Sequence, residues 1–132
     1  MAKLTIEDLI NKKELVKAQG QIQKAEIFCK KLGGEIEVHG LSKNDLADVR
    51  EKMKKDYKQG TYYMIYLSAD ILREEQLLEA YGCKTDSIRI VERLFPHENE
   101  IIAITKVIED LNGLGYLSPD EIYRKEIEDL KN

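Results

Sequence analysis

The sequence predicts a small α+β domain that is predominantly α-helical, a multi-helix fold carrying one β-hairpin. Three observations lead there. Apolar residues recur at helical spacing behind Ser or Thr caps. One stretch, Ala25 to Val38, alternates with period two around Gly33-Gly34. The 132 residues, 42% hydrophobic and 35% charged, suit a single core rather than a disordered tail or a membrane protein.

The elements follow in order. Thr5 with Asp8 forms a short-armed capping box, and Leu4 and Leu9 are placed to staple it. The helix is expected from Ile6 to about Ala18, ending at Gly20. Past Ile10 only Leu15 and Val16 of its central residues are large and apolar, so this helix is expected to project from the core or fray. In the hairpin, Ala25, Ile27 and Cys29 alternate with Glu26, Phe28 and Lys30, and Gly33-Gly34 supplies a two-residue turn. Ile36 and Val38 then alternate with Glu35, Glu37 and His39.

Ser42 with Asp45, flanked by Leu41 and Leu46, opens a second helix whose inward stripe is Leu46, Val49 and Met53, with Gly60 breaking the pattern. The residue types of Tyr62 to Leu67 favour a strand. The spacing of Tyr62, Ile65, Tyr66 and Ala69 instead predicts a helix. Leu77, Leu78 and Tyr81 share an apolar face that Gly82 ends in a left-handed conformation. A helix from Thr85 or Asp86 carries Ile88, Val91, Leu94 and Phe95 inward and stops at Pro96. From His97 to Asn112 the apolar set is wide: Ile101, Ile102, Ile104, Val107, Ile108 and Leu111. Ser118-Pro119-Asp120-Glu121 has the cap, the first-turn proline and the acid of a helix start, predicting a final helix over about 119–130 with Tyr123, Ile127 and Leu130 on one stripe. The organisation expected is a core over 1–113 and an amphipathic helical extension over 114–132.

Composition also narrows the function. Lys plus Arg number 21 against 25 Asp plus Glu, a formal net charge of −4, and the basic residues are dispersed among acids, which disfavours nucleic acid as a partner. No apolar run reaches the roughly 20 residues of a membrane-spanning helix. The opening residues lack the apolar stretch of a secretion signal, so the expected compartment is the cytoplasm. Cys29 and Cys83 are then expected to be buried structural thiols. His39 and His97 are far apart in sequence and lack metal-ligand spacing. The carboxylate pairs lie on polar helical faces, and no phosphate loop or nucleophile motif is present. No catalytic role and no cofactor are expected. The helices flanking Gly82 have a rival reading as a DNA-contacting helix-turn-helix, but Arg89 and Arg93 stand beside Asp86 and Glu92, which favours two packed core helices.

Several segments resemble the XkdN-like tail assembly chaperones of long-tailed phages and prophages. These are Leu4-Thr5-Ile6-Glu7-Asp8-Leu9-Ile10-Asn11-Lys12-Lys13, the hairpin leading into Leu41-Ser42-Lys43, Leu77 through Cys83 with its Ala-Tyr-Gly-Cys ending, and Phe95-Pro96 followed by Glu100-Ile101. The resemblance runs over about residues 4–113. Pro96-His97-Glu98-Asn99 departs from the glycine common in that segment of the family, and the chain continues past the Leu111-Asn112-Gly113 position where many members end.

What the resemblance implies is a non-catalytic assembly factor in the cytoplasm of a bacterial host, absent from the finished virion. It would bind the helical tape-measure protein, keep its apolar surfaces from aggregating, and bring tail-tube protein to it. The residues expected to form the partner-binding surface are Ile101, Ile104 and Ile108 on the long helix and Tyr123, Ile127 and Leu130 on the last; the alternative for the first three is an ordinary inward-facing core stripe. Homo-oligomerisation is left open. The alternatives in other classes are a prophage-encoded regulator and a structural tail component.

Overall fold

A computed structural model describes residues 3–125. Among them are α1 (Ile6–Asn11), α2 (Lys13–Gln19), β1 (Lys24–Cys29), β2 (Gly34–His39), α3 (Lys43–Lys55), α4 (Tyr57–Ser68), α5 (Glu75–Ala80), α6 (Arg89–Leu94) and α7 (Glu98–Leu111), with 3-10 turns at Lys30–Leu32 and Asp70–Arg73. The mostly helical α+β architecture with one antiparallel hairpin is therefore the fold.

The N-terminal capping box forms as expected: Asp8 N–H donates to Thr5 Oγ1 at 3.2 Å and Thr5 N–H to Asp8 Oδ2 at 2.9 Å. The helix it starts is broken at Lys12 into α1 and α2, and neither piece buries a residue. This is the projecting arm that its polar middle predicts.

The hairpin register pairs Ala25 with Val38, Ile27 with Ile36 and Cys29 with Gly34. Its connection is longer than the two-residue turn expected. Lys30–Leu32 makes a 3-10 turn and Gly33, at φ 71°, closes it, so Gly34 belongs to β2. Only Gly33 needs the left-handed conformation. Ala25, Ile27, Cys29, Ile36 and Val38 pack on the helices, which gives a two-stranded sheet the support it lacks alone.

Ser42 caps α3, accepting from Asp45 N–H at 3.1 Å, and Val49 is buried between partly buried Leu46 and Met53. The break then comes at Asp56 rather than Gly60. Asp56 leaves helical geometry and its carboxylate accepts from Gln59 N–H at 3.2 Å, capping α4. Gly60 sits inside α4 because the helices touch there: a Cβ would lie 2.6 Å from Met53 N and 2.7 Å from Met53 Cα. The helical reading of Tyr62 to Leu67 holds, with Tyr62, Met64 and Ile65 buried in α4. Arg73 closes its far end, donating to the carbonyls of Tyr66 and Leu67, both at 2.8 Å.

The Ala-Tyr-Gly-Cys ending is a helix stop with a physical logic. Gly82, at φ 69°, turns the chain so that Cys83 N–H donates to Leu78 O at 2.7 Å, and Cys83 and Leu78 both enter the core. That is the Schellman arrangement with its apolar contact. The next helix starts later than expected, at Arg89, preceded by turns. Its Ile90 and Val91 are fully buried, with Phe95 just after them. Pro96 stands before the His97 cap rather than in the first turn of α7. Glu100 accepts from His97 N–H at 3.2 Å, so the carboxylates near His97 include a helix cap.

One polar residue ties the two ends of the core together. Asn112 Oδ1 accepts from Leu41 N–H at 2.6 Å, while its Nδ2 donates to Ile108 O at 2.8 Å. Asn112→Ala strands the half-buried Leu41 amide at the entry to α3. The expected cost is about 1–2 kcal/mol, measured by urea unfolding, with Asn112→Asp recovering the Leu41 bond but not the Ile108 one.

Gly113, at φ 70°, ends α7, with Leu114 N–H donating to Glu109 O at 2.8 Å. The final helix is not formed over 119–125. Glu121 does reach back to Ser118, its carboxylate accepting from Ser118 N–H at 2.6 Å, but only a turn follows and the chain is irregular from 123 to 125. Only the Glu121 half of the capping box is formed, and no helix is present over 119–125. The rest of that expectation, with Ile127 and Leu130, lies outside the described residues.

Candidate functional site

The long helix divides into two faces. Ile101, Ile104 and Ile108 are buried at 8%, 7% and 0% exposure, packed with α4 and the hairpin. They pack into the core, the alternative reading of these three, while Ile101 and Ile104 also line the two grooves beside α7. The wide apolar set on α7 serves core and surface together. The residues that reach solvent are Ile102, at 50% exposure, and Ala103. Tyr123 is exposed but stands in irregular chain, away from any helical stripe.

Two grooves flank α7. The larger, about 760 Å3, runs between the hairpin and α7, lined by Ile27, Phe28 and Cys29 on one side and Phe95, Ala103, Ile104 and Val107 on the other. Phe28 is 66% exposed on the outward side of β1. It occupies a position that in an ordinary half-buried strand is polar. The second groove, about 410 Å3, lies between α4 and α7 and is edged by Tyr57, Tyr62, Pro96 and Ile102, with Lys58 and Lys106 at its rim.

Lys31 and Glu100, both in the lining of the first groove, pair across it. Lys31, in the hairpin turn, donates to Leu94 O at 2.7 Å, pairs with Glu100 at 2.7 Å and stands 5.2 Å from the centre of the Phe95 ring. The turn is thereby fixed to the junction of α6 and α7. Lys31 is also the main reason the Glu100 carboxyl sits below the usual carboxylate range, with the His97 amide adding to it. On the other side of the hairpin, His39 Nε2 lies 2.7 Å from Asp70 Oδ1, and Arg73 pairs with the same carboxylate. Those two contacts hold Asp70 low, His39 first.

Neither cysteine is poised for chemistry. Cys83 is buried, and burial pushes the Cys29 thiol up, with Glu100 adding to the shift and Lys31 opposing it. A raised thiol is a poorer nucleophile at neutral pH. Among the described residues no three His, Cys, Asp or Glu side chains gather at metal-binding distance, and no helix is long and apolar enough to cross a membrane. The stretch with a rival helix-turn-helix reading consists of two six-residue helices, and α6 is sunk against α4 through Ile90 and Val91. What this site can do is hold an apolar segment, most directly a helix laid beside α7.

Sequence reasoning missed Phe28 and Ile102 as surface residues. Phe28 carried a usable signal, being a large aromatic on the polar side of the alternation. Ile102 carried none, because i+1 to a core position is ambiguous on a helix with so broad an apolar set.

Comparison with protein-family models, curated proteins and solved structures gives no match to this chain.

Proposed function

We propose that this chain is a non-catalytic tail assembly chaperone of the XkdN-like kind, which binds a phage tape-measure protein in the bacterial cytoplasm and promotes assembly of the tail tube. The observation that carries the binding half of this reading is the apolar groove between hairpin and α7, with Phe28 turned outward at its edge. A tape-measure protein is a long run of helices whose apolar stripes must stay covered until the tube closes around it. A groove of this kind covers such a stripe through alternate turns of the bound helix. The naming of the client rests on the ordered segments from Leu4 to Gly113 that resemble that family.

The proposal places the contact surface on Phe28, Ala103 and Val107, with Ile104 lining the same groove. Phe28→Asp is expected to leave the fold intact, since the side chain is mostly in solvent, and to weaken binding of a helical tape-measure peptide at least tenfold, about 1.4 kcal/mol or more. Ile71→Asp, also on an exposed apolar side chain (55% exposed) but outside both grooves, is expected to bind as the parent does. Calorimetric titration with far-UV dichroism as the folding control checks this. No binding by the parent chain, or equal binding by Phe28→Asp, would overturn the reading.

A further inference from the structure

The N-terminal arm turns its large apolar side chains to solvent. Leu4, Ile6, Leu9, Ile10, Leu15 and Val16 are each 52–79% exposed, and neither α1 nor α2 buries a residue. Helices of six and seven residues are not stable alone in water, because nucleation outweighs the few hydrogen bonds they add. The arm's helicity thus calls for packing that the other described residues do not give it.

We infer that the arm pairs antiparallel with the arm of a second copy, forming a two-fold dimer. The charge pattern selects that partner. Acids Glu7 and Asp8 stand at the first turn of α1, with Lys3 ahead of them, and Lys12, Lys13 and Lys17 lie toward the far end, with Glu14 the one acid among them, so the first half of the arm is net negative and the second net positive. Reversal of an identical arm sets acidic end against basic end, which is the self-complementarity that a two-fold interface demands. With the axis near the break at Lys12, the Leu9–Ile10 end of one arm meets the Leu15–Val16 end of the other. Two arms hiding their apolar faces bury on the order of 1,200 Å2, the lower bound for a stable specific interface. No residue of the arm lines either groove beside α7, so the inference stands independently of the chaperone reading.

Sedimentation of the full chain over a wide concentration range tests this. A monomer–dimer equilibrium is expected. Leu9→Glu, present twice in each dimer, raises the dissociation constant by roughly a hundredfold, from twice the burial of one leucine, while the tyrosine near-UV dichroism stays that of the folded domain. Glu7→Lys weakens the dimer, and Glu7→Lys with Lys17→Glu restores it. Phe28→Asp leaves it unchanged. A parent chain that is monomeric throughout, a dimer indifferent to Leu9→Glu, or one broken instead by Phe28→Asp would overturn the inference.

Discussion

Ile108→Ala is expected to destabilise the domain by about 4 kcal/mol, a fall in melting midpoint on the order of 15 °C for a chain of this size. Ile108 is fully buried on the helix that packs against α4, β1 and β2. Truncation there removes transfer free energy and leaves a cavity in the core that the surrounding structure fills only partly. Ile102→Ala, six residues earlier on the same helix but half exposed, is expected to change stability by less than about 0.5 kcal/mol. Urea unfolding of the pair reads the two faces of α7 separately. Equal effects would mean that the division between core and groove faces drawn here is wrong.

Gly60→Ala is expected to cost about 3 kcal/mol, at the upper end for overpacking, although alanine gains roughly 1 kcal/mol over glycine in helix propensity. The clash outweighs the gain because two of its three nearest atoms are backbone. Met53 N and Cα would lie 2.6 and 2.7 Å from the new Cβ, and the flexible Met53 side chain, also in contact, is the lesser obstacle. Relief requires α3 and α4 to separate, which pulls Val49 and Tyr62 out of their packing. Gly20→Ala is the matched control. Gly20 has φ −83°, with nothing but carbonyl oxygens of its own helix 3.6 Å from the added carbon, and is expected to be neutral or slightly stabilising. Thermal unfolding followed by dichroism checks both variants. A stable Gly60→Ala protein would show that the corner at Asp56 is looser than described.

Local chemistry explains why some elements were legible and others were not. Thr5 and Ser42 announce helix starts because their hydroxyls accept the free amides of the first turn, and both do. Gly82 and Gly113 announce stops because left-handed backbone favours glycine. The α4 helix was readable against its strand-like composition because period outranks residue type over seven residues. Gly60 was misread for the opposite reason: its absence of a side chain serves a contact with Met53, 7 positions back, which no local pattern encodes. The start signal at Ser118 is followed over 119–125 by a turn and irregular chain, so that signal alone does not fix a helix there. The partner surface was hardest to read. Ile101, Ile104 and Ile108 have the spacing of a binding stripe and of a core stripe alike, and only the position of the hairpin distinguishes them.

Co-expression of the full chain with a tape-measure protein, followed by size exclusion with light scattering, tests the central claim most directly. The account predicts a soluble complex of defined stoichiometry, a client that is insoluble alone, and loss of that complex with Phe28→Asp but not with Ile71→Asp. A client equally insoluble with and without the folded chain would contradict it.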